Sequence, residues 1–151
     1  MASIKIPHSV RASIERHAEA VYPTEGCGVL LGRIAADGDW IVQSVEPVAN
    51  VAPDGGRDRY ELDPRVYSNI EKRLHAAGGI QSVLGFFHSH PDGLPTPSSV
   101  DLDAALALFA FARERYLYAI QTAADGKAGA LSVWRLSGSF QSFEKLSVED
   151  A

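Results

Sequence analysis

The run Val83-Leu84-Gly85-Phe86-Phe87-His88 constrains the fold more than any other segment, because it is apolar without a break up to its final residue. A strand with one face in water alternates apolar and polar residues, whereas a strand covered on both faces is continuously apolar. The run therefore predicts a strand in the middle of a sheet, with other elements packed against both of its faces.

Periodic segments on either side can supply those covering elements. Apolar spacing and end signals predict helices over about residues 8–21, from Asp63-Pro64 to Gly78, and from about Ser98 onward. Strands are predicted near residues 26–34, 39–48, 59–62, 116–123 and 129–135, with a weaker one near 139–146. Because helices and strands alternate only in part, we expect an α/β fold with one mixed β-sheet flanked by helices.

Length and charge exclude several classes of protein. The chain has 151 residues, the length of one domain, and we assign residues 1–151 to a single domain. Its formal net charge of −5 argues against a general affinity for nucleic acid or for an anionic membrane surface. Since we find neither a signal-peptide core nor a long apolar run, we expect a cytoplasmic protein.

The single cysteine, Cys27, limits the chemistry further. One cysteine cannot form a disulfide within the chain, and it excludes a zinc site built from several cysteines. A position near a metal or a redox-sensitive role is one interpretation of Cys27. A small, buried strand residue is the interpretation we favour, because free cysteine is among the most buried residue types.

The most informative motif is His88-Ser89-His90-Pro91, followed by Ser98 and Asp101. Side chains alternate along a strand, so both imidazoles point to one face and Ser89 to the other. Seven residues separate His90 from Ser98, enough chain to bring the Asp101 carboxylate back to the imidazoles. Two histidines and one carboxylate leave one position of a tetrahedral zinc open, as in catalytic sites.

Each part of this motif also has an ordinary interpretation. A His-x-His pair occurs by chance in many strands. Ser98 and Asp101 have the spacing of a helix-capping box, in which the serine caps and the acid reaches back. The two interpretations are compatible, because a cap that fixes the start of the helix also fixes the carboxylate.

A metal-activated water needs a base, and Glu25 is the candidate. It lies in the segment Pro23-Thr24-Glu25-Gly26-Cys27-Gly28, directly before an apolar strand. The alternative is an ordinary solvated glutamate at the exposed start of a strand. The flanking glycines are unusual for a plain strand and suggest close approach of another chain segment.

Together these residues resemble the signature of the JAMM (MPN-plus) zinc metalloproteases: Glu25, His88-x-His90-Pro91, seven residues, and Ser98-x-x-Asp101. The sequence around Glu25 and the segment from Arg59 to Pro64 are similar to those of the bacterial and archaeal branch of this family. The resemblance implies a cytidine-deaminase-like fold and one Zn²⁺ per chain, ligated by His88, His90 and Asp101. It also implies that Glu25 transfers the proton and that Ser98 hydrogen-bonds the oxyanion or the catalytic water.

The resemblance further implies hydrolysis of the bond after the C-terminal Gly-Gly of a ubiquitin-like or sulfur-carrier protein. A non-catalytic interaction scaffold of the same fold is the alternative, although such relatives usually lack the ligands. A zinc deaminase is excluded, since its site needs the two cysteines of a Pro-Cys-x-x-Cys motif and this chain has one cysteine. We expect the loops 50–59 and 91–97 to frame the access for the Gly-Gly tail. An uncovered sheet edge would allow a homodimer.

Overall fold

The computed structural model describes residues 3–150, which form eight strands, three α-helices and a short 3-10 turn at Ala124–Gly126. The helices are α1 (His8–Val21), α2 (Pro64–Ala76) and α3 (Ser99–Ala112). The strands are β1 (Ile4–Ile6), β2 (Cys27–Ile34), β3 (Trp40–Val48), β4 (Ser82–His90), β5 (Leu117–Thr122), β6 (Leu131–Leu136), β7 (Phe143–Leu146) and β8 (Val148–Asp150).

All eight strands belong to one sheet in the order β7-β6-β5-β4-β2-β3-β1-β8. Strand β4 pairs in parallel with β5 and antiparallel with β2, so the sheet is mixed. The pair β4 and β2 lies at the centre, with three strands beyond each of them. The predicted mixed sheet and the predicted central position of the apolar run are both confirmed.

Helices cover both faces of the sheet, as the apolar run requires. On one face, Val10 and Ile14 of α1 pack against Leu84 and Phe87 of β4 and their neighbours. On the other face, α2 and α3 cover a second cluster that includes Phe86. Among the described residues, no helix is long and apolar enough to cross a membrane.

A shift of register in the central pair determines which β4 side chains face α2 and α3. Leu30 pairs with Gly85 and Leu31 with Val83, which leaves Leu84 without a partner in β2. Such bulges re-aim the side chains that follow them. Beyond the shift, Phe86 faces the cluster under α2 and α3. Alternation then directs His88 and His90 to the same face.

The glycines around Glu25 are explained by close packing, as the sequence suggested. A Cβ at Gly28 would lie 2.1 Å from the Phe87 ring and 2.6 Å from the Glu46 carbonyl oxygen. No larger residue fits there unless the central strands move. The absence of a side chain at Gly28 therefore lets β2 lie close against β4 and β3 just after Glu25, which is two residues before the strand.

Three strand predictions need correction. The segment 59–62 is not a strand. The N–H of Glu61 donates its hydrogen bond to the Asn50 side chain rather than to the backbone of a neighbouring strand. The short strands β1 and β8 were not predicted, since three residues give too short a pattern. The last predicted strand starts later than expected, at Phe143 rather than near residue 139.

Candidate metal centre

Two buried imidazoles meet at the end of β4. The exposed fractions of His88 and His90 are 1% and 6%, and their Nε2 atoms lie 3.0 Å apart. Ser89 points to the opposite face, where its Oγ accepts the N–H of Gly26 at 2.7 Å. The predicted alternation is therefore confirmed, and its cause is the extended backbone of β4.

Asp101 reaches the same point from the first turn of α3. One carboxylate oxygen lies 3.3 Å from Nε2 of His88 and the other 3.2 Å from Nε2 of His90. The capping box is present as well: Asp101 N–H donates to Oγ of Ser98 at 3.1 Å, and Ser98 N–H donates to the Asp101 carboxylate at 2.8 Å. The capping-box interpretation is therefore confirmed, and the same cap directs the carboxylate toward the two imidazoles.

Glu25 is buried beside this cluster, with an exposed fraction of 5%. The interpretation as a solvated glutamate is therefore wrong. Its backbone is fixed by two hydrogen bonds, from its own N–H to the Gly56 carbonyl at 2.6 Å and from Asn50 Nδ2 to its carbonyl at 2.9 Å. One carboxylate oxygen of Glu25 and one nitrogen of each imidazole lie within 4.8 Å of one another. These three side chains can hold a metal ion.

The electrostatics of the cluster follow from its burial. Burial raises the pKa of Glu25 to about 8, although nearby His90 opposes the rise. Burial lowers the pKa of His88. It also acts to lower the pKa of His90, but hydrogen bonds to Asp101 and the Leu94 carbonyl outweigh it and raise that pKa. Hydrogen bonds from both imidazoles hold the pKa of Asp101 well below its usual range despite burial.

The donor atoms fit a metal ion. Ligand atoms bound to a tetrahedral zinc at about 2.0 Å stand about 3.3 Å from one another. The three separations among His88, His90 and Asp101 are 3.0–3.3 Å. Oε1 of Glu25 is buried and has no hydrogen-bond partner among the described residues, as suits a group that binds a molecule delivered to the site. The set fits zinc in chemistry and in spacing.

A cleft of about 190 Å³ opens the cluster to the surface. Glu25, His90 and Ser98 line it, together with residues of the two loops predicted to frame the access, including Arg57 and Leu94. Ser98 is exposed at its rim. The placement of these loops beside the cluster agrees with the sequence expectation.

Two neighbours of the cluster were not assigned these contacts from the sequence. Tyr60 stacks on the ring of His88, with 4.5 Å between ring centroids. The Asn50 side chain bonds five backbone groups between Glu25 and Glu61. The sequence signal for Tyr60 was its place in the segment from Arg59 to Pro64, which is similar to the bacterial and archaeal JAMM proteins, and that for Asn50 was its place in the loop 50–59 expected to frame the access.

Cys27 is fully buried at the start of β2, as favoured from the sequence. Its Sγ lies 3.7 Å from the Val48 carbonyl oxygen. Burial raises the pKa of the thiol to about 12, which keeps it protonated. A protonated thiol is a poor nucleophile and a poor metal ligand.

Comparison with known proteins gives related sequences and folds. Desampylase of Haloferax volcanii is 41% identical over 83 residues, which are 55% of this chain and 55% of that protein. The histone H2A deubiquitinase MYSM1 of Branchiostoma floridae is 32% identical over 102 residues, which are 67% of this chain and 12% of that protein. The chain therefore matches about half the length of the first relative and a small part of the second.

Two solution structures share the fold. A protein from Desulfitobacterium hafniense superposes with a TM-score of 0.78 at 25% identity, covering 98% of this chain and 92% of that one. A protein from Salinibacter ruber gives a TM-score of 0.70 at 30% identity, covering 100% of this chain and 92% of that one.

The family follows from the match along most of the chain. Residues 7–137 match Prok-JAB, described as prokaryotic homologs of the JAB domain. The match includes the segments that carry Glu25, the two histidines and Asp101, and it confirms the resemblance found in the sequence. This chain belongs to the Prok-JAB family.

Proposed function

We propose that this protein is a zinc-dependent peptidase or isopeptidase that hydrolyses the bond after the C-terminal Gly-Gly of a ubiquitin-like or sulfur-carrier protein. The observation that carries the proposal is the convergence of two imidazoles and a carboxylate within 3.0–3.3 Å, beside a buried glutamate. A bound zinc lowers the pKa of a water molecule to about 7 and polarises a carbonyl.

His88, His90 and Asp101 are the proposed ligands of one zinc ion per chain. The Asp101 carboxylate is in hydrogen-bond range of both imidazoles, which supports its assignment as the third ligand. Glu25 is the proposed base, because its buried Oε1 has no hydrogen-bond partner within residues 3–150. It removes a proton from the attacking water as the carbon–oxygen bond forms. It then passes the proton to the amine nitrogen as the carbon–nitrogen bond breaks.

Ser98 is the proposed donor to the developing oxyanion. It lies at the rim of the cleft that also contains Glu25 and His90. A hydroxyl that already accepts one hydrogen bond still has its own hydrogen to donate. Such donors stabilise the charge that forms on the carbonyl oxygen during attack.

The substrate class is supported by the relatives and by the shape of the cleft. The two related proteins are named for removing a modifier, one as a desampylase and the other as a histone H2A deubiquitinase. Two glycines present no side chains, so a Gly-Gly tail suits a cleft of about 190 Å³. We also propose that the protein is cytoplasmic. We expect it to bind neither nucleic acid nor membranes, as its composition suggested. A homodimer through a sheet edge stays a prediction.

The test uses a carrier protein whose Gly-Gly terminus is joined to a peptide through an α-peptide bond, or to lysine through an isopeptide bond. We expect the wild type to carry one zinc per chain by elemental mass spectrometry and to release the free carrier. Glu25→Gln should keep the zinc and lose about 10²–10⁴ in kcat, the usual contribution of a general base. Comparing the two substrates identifies the bond.

Two further results separate the alternatives. His88→Ala should lose both zinc and cleavage, because it removes a ligand. If Glu25→Gln cleaves as fast as wild type, the assignment of the base is wrong. If the wild type binds zinc but cleaves neither substrate, the interaction scaffold becomes the better explanation.

A further inference from the structure

His88 and His90 are held in different ways, although both imidazoles face the same site. Nδ1 of His90 lies 2.7 Å from the Leu94 carbonyl oxygen, which accepts its hydrogen and leaves Nε2 free to bind a metal. Metal-ligating histidines almost always have such a partner. Nδ1 of His88 is buried and has none among the described residues. Another contact must therefore set the orientation of the His88 ring.

Tyr60 supplies that contact. Its ring lies nearly parallel to the His88 ring, with 4.5 Å between centroids and 22° between planes. The His90 ring meets the His88 ring edge-on, with 4.8 Å between centroids and 61° between planes. The His88 ring cannot turn about its Cβ–Cγ bond without losing the stack on Tyr60 or colliding with His90.

Tyr60 is itself fixed on both sides by Asn50. The amide of Asn50 donates to the Arg59 carbonyl at 3.1 Å and accepts from the Glu61 N–H at 3.0 Å. These bonds hold the backbone directly before and directly after Tyr60. The same amide donates to the Glu25 carbonyl at 2.9 Å. One side chain therefore ties the segment that carries Tyr60 to the residue proposed as the base.

We propose that Tyr60 is a positioning residue of the metal centre. Its ring takes the place of the missing hydrogen bond at Nδ1 and holds His88 with Nε2 directed into the site. The inference rests on the proposed function only in using His88 as a metal ligand, and it does not depend on peptide cleavage. Because the ring acts and not the hydroxyl, phenylalanine should replace Tyr60 and leucine should not.

The experiment measures Co²⁺ binding, with cobalt as a spectroscopic substitute for zinc. Wild type, Tyr60→Leu and Tyr60→Phe are titrated with Co²⁺ in competition with a chromophoric chelator. We expect Tyr60→Leu to weaken binding about tenfold or more, the range for partners of metal-ligating histidines, and to change the cobalt d–d spectrum. Tyr60→Phe should match the wild type in affinity and in spectrum.

Tyr67→Leu is the matched control, because Tyr67 is also partly buried and packs on Phe86 rather than on His88. Thermal melting of the metal-free proteins shows whether each variant is folded. If Tyr60→Leu fails to fold, Tyr60→Met, which keeps apolar bulk without a ring, provides the same comparison.

Three results would overturn the inference. They are a ringless Tyr60 variant that binds cobalt as the wild type does, a Tyr60→Phe variant that loses as much as Tyr60→Leu, and a Tyr67→Leu variant that loses equally. A wild-type protein that binds neither cobalt nor zinc would instead overturn the proposed function, and the inference with it. In the first three results the wild-type protein still binds metal, so a failure of the inference can be told apart from a failure of the proposed function.

Discussion

Ser98 combines a helix cap with a position at the rim of the cleft. Its Oγ accepts the N–H of Asp101 at 3.1 Å, so the cap uses a lone pair and leaves the hydroxyl hydrogen free. The capping box also orients the Asp101 carboxylate toward both imidazoles. Replacing Ser98 therefore affects the stability of α3 and, under the proposed mechanism, the reaction.

Two substitutions at Ser98 separate these roles. Ser98→Ala removes the cap and the hydroxyl and should cost about 1 kcal/mol of stability. Ser98→Gly also removes the hydroxyl and its bond to the Asp101 N–H, but glycine is itself favourable at an N-cap and should cost only a few tenths of a kcal/mol. If Ser98 donates to the oxyanion, both variants should lose about 10²–10³ in kcat. Urea unfolding and steady-state cleavage of a carrier fusion measure the two effects. A Ser98→Gly variant with normal kcat would leave Ser98 as a cap alone.

The loop 91–97 connects β4 to α3, and so joins the proposed ligands His90 and Asp101, and it forms one wall of the cleft. Asp92 accepts the Leu94 N–H at 3.0 Å, which fixes the turn, and Gly93 adopts a φ of +81° that other residues rarely adopt. The turn directs the Leu94 carbonyl to His90 and leaves the Leu94 side chain 59% exposed at the cleft. The loop therefore orients the His90 imidazole with its backbone and leaves the Leu94 side chain exposed at the cleft.

Leu94→Glu tests the loop as part of the path of the Gly-Gly tail. A charged side chain there should obstruct the tail and raise KM about tenfold, or about 1.4 kcal/mol of lost binding, with kcat nearly unchanged. Leu94 is a cleaner choice than Gly93, because any side chain at Gly93 would strain the backbone. Steady-state cleavage of the carrier fusion gives both constants. Ile80→Glu is the control, since Ile80 is 76% exposed in the turn before β4, away from the cleft. Equal KM values for wild type and Leu94→Glu would remove Leu94 from the substrate path.

At the scale of the whole molecule, the cluster exists only when distant elements are packed together. Its donors come from the end of β4, the first turn of α3 and the residue two positions before β2. The unfolded chain does not hold the groups of these three segments together. Metal binding should therefore favour the folded state, because a ligand that binds only the native protein stabilises it by mass action.

Zinc should raise the melting temperature by an amount that depends on its free concentration. At about one hundred times the Kd, the added stability is about 2.7 kcal/mol, which corresponds to roughly 5–11 °C for a chain of this size. Differential scanning calorimetry of chelator-treated protein, with and without a buffered zinc concentration, measures the shift. The same titration of His88→Ala should show almost no shift. An equal shift in both proteins would place the stabilising zinc elsewhere.

Features that depend on neighbours in the chain could be predicted from the sequence. The alternation of His88 and His90, the cap at Asp63 and the box of Ser98 with Asp101 all involve residues at most three apart. The geometry of a strand or a helix terminus is set at that distance by local sterics and hydrogen bonds. The apolar run in β4 predicted both its central place and helices on both faces.

Other features were decided only by the tertiary structure. Glu25 is buried because the loop carrying Gly56 folds over it, and a charged residue before a strand gives no local sign of this. The short strands β1 and β8 pair residues from the two ends of the chain with each other. The stack of Tyr60 on His88 likewise joins segments far apart in sequence. The sequence by itself determined the chemistry of the proposed ligands, because residue type and spacing are local. Their convergence and support depend on packing between distant segments, which no local pattern records.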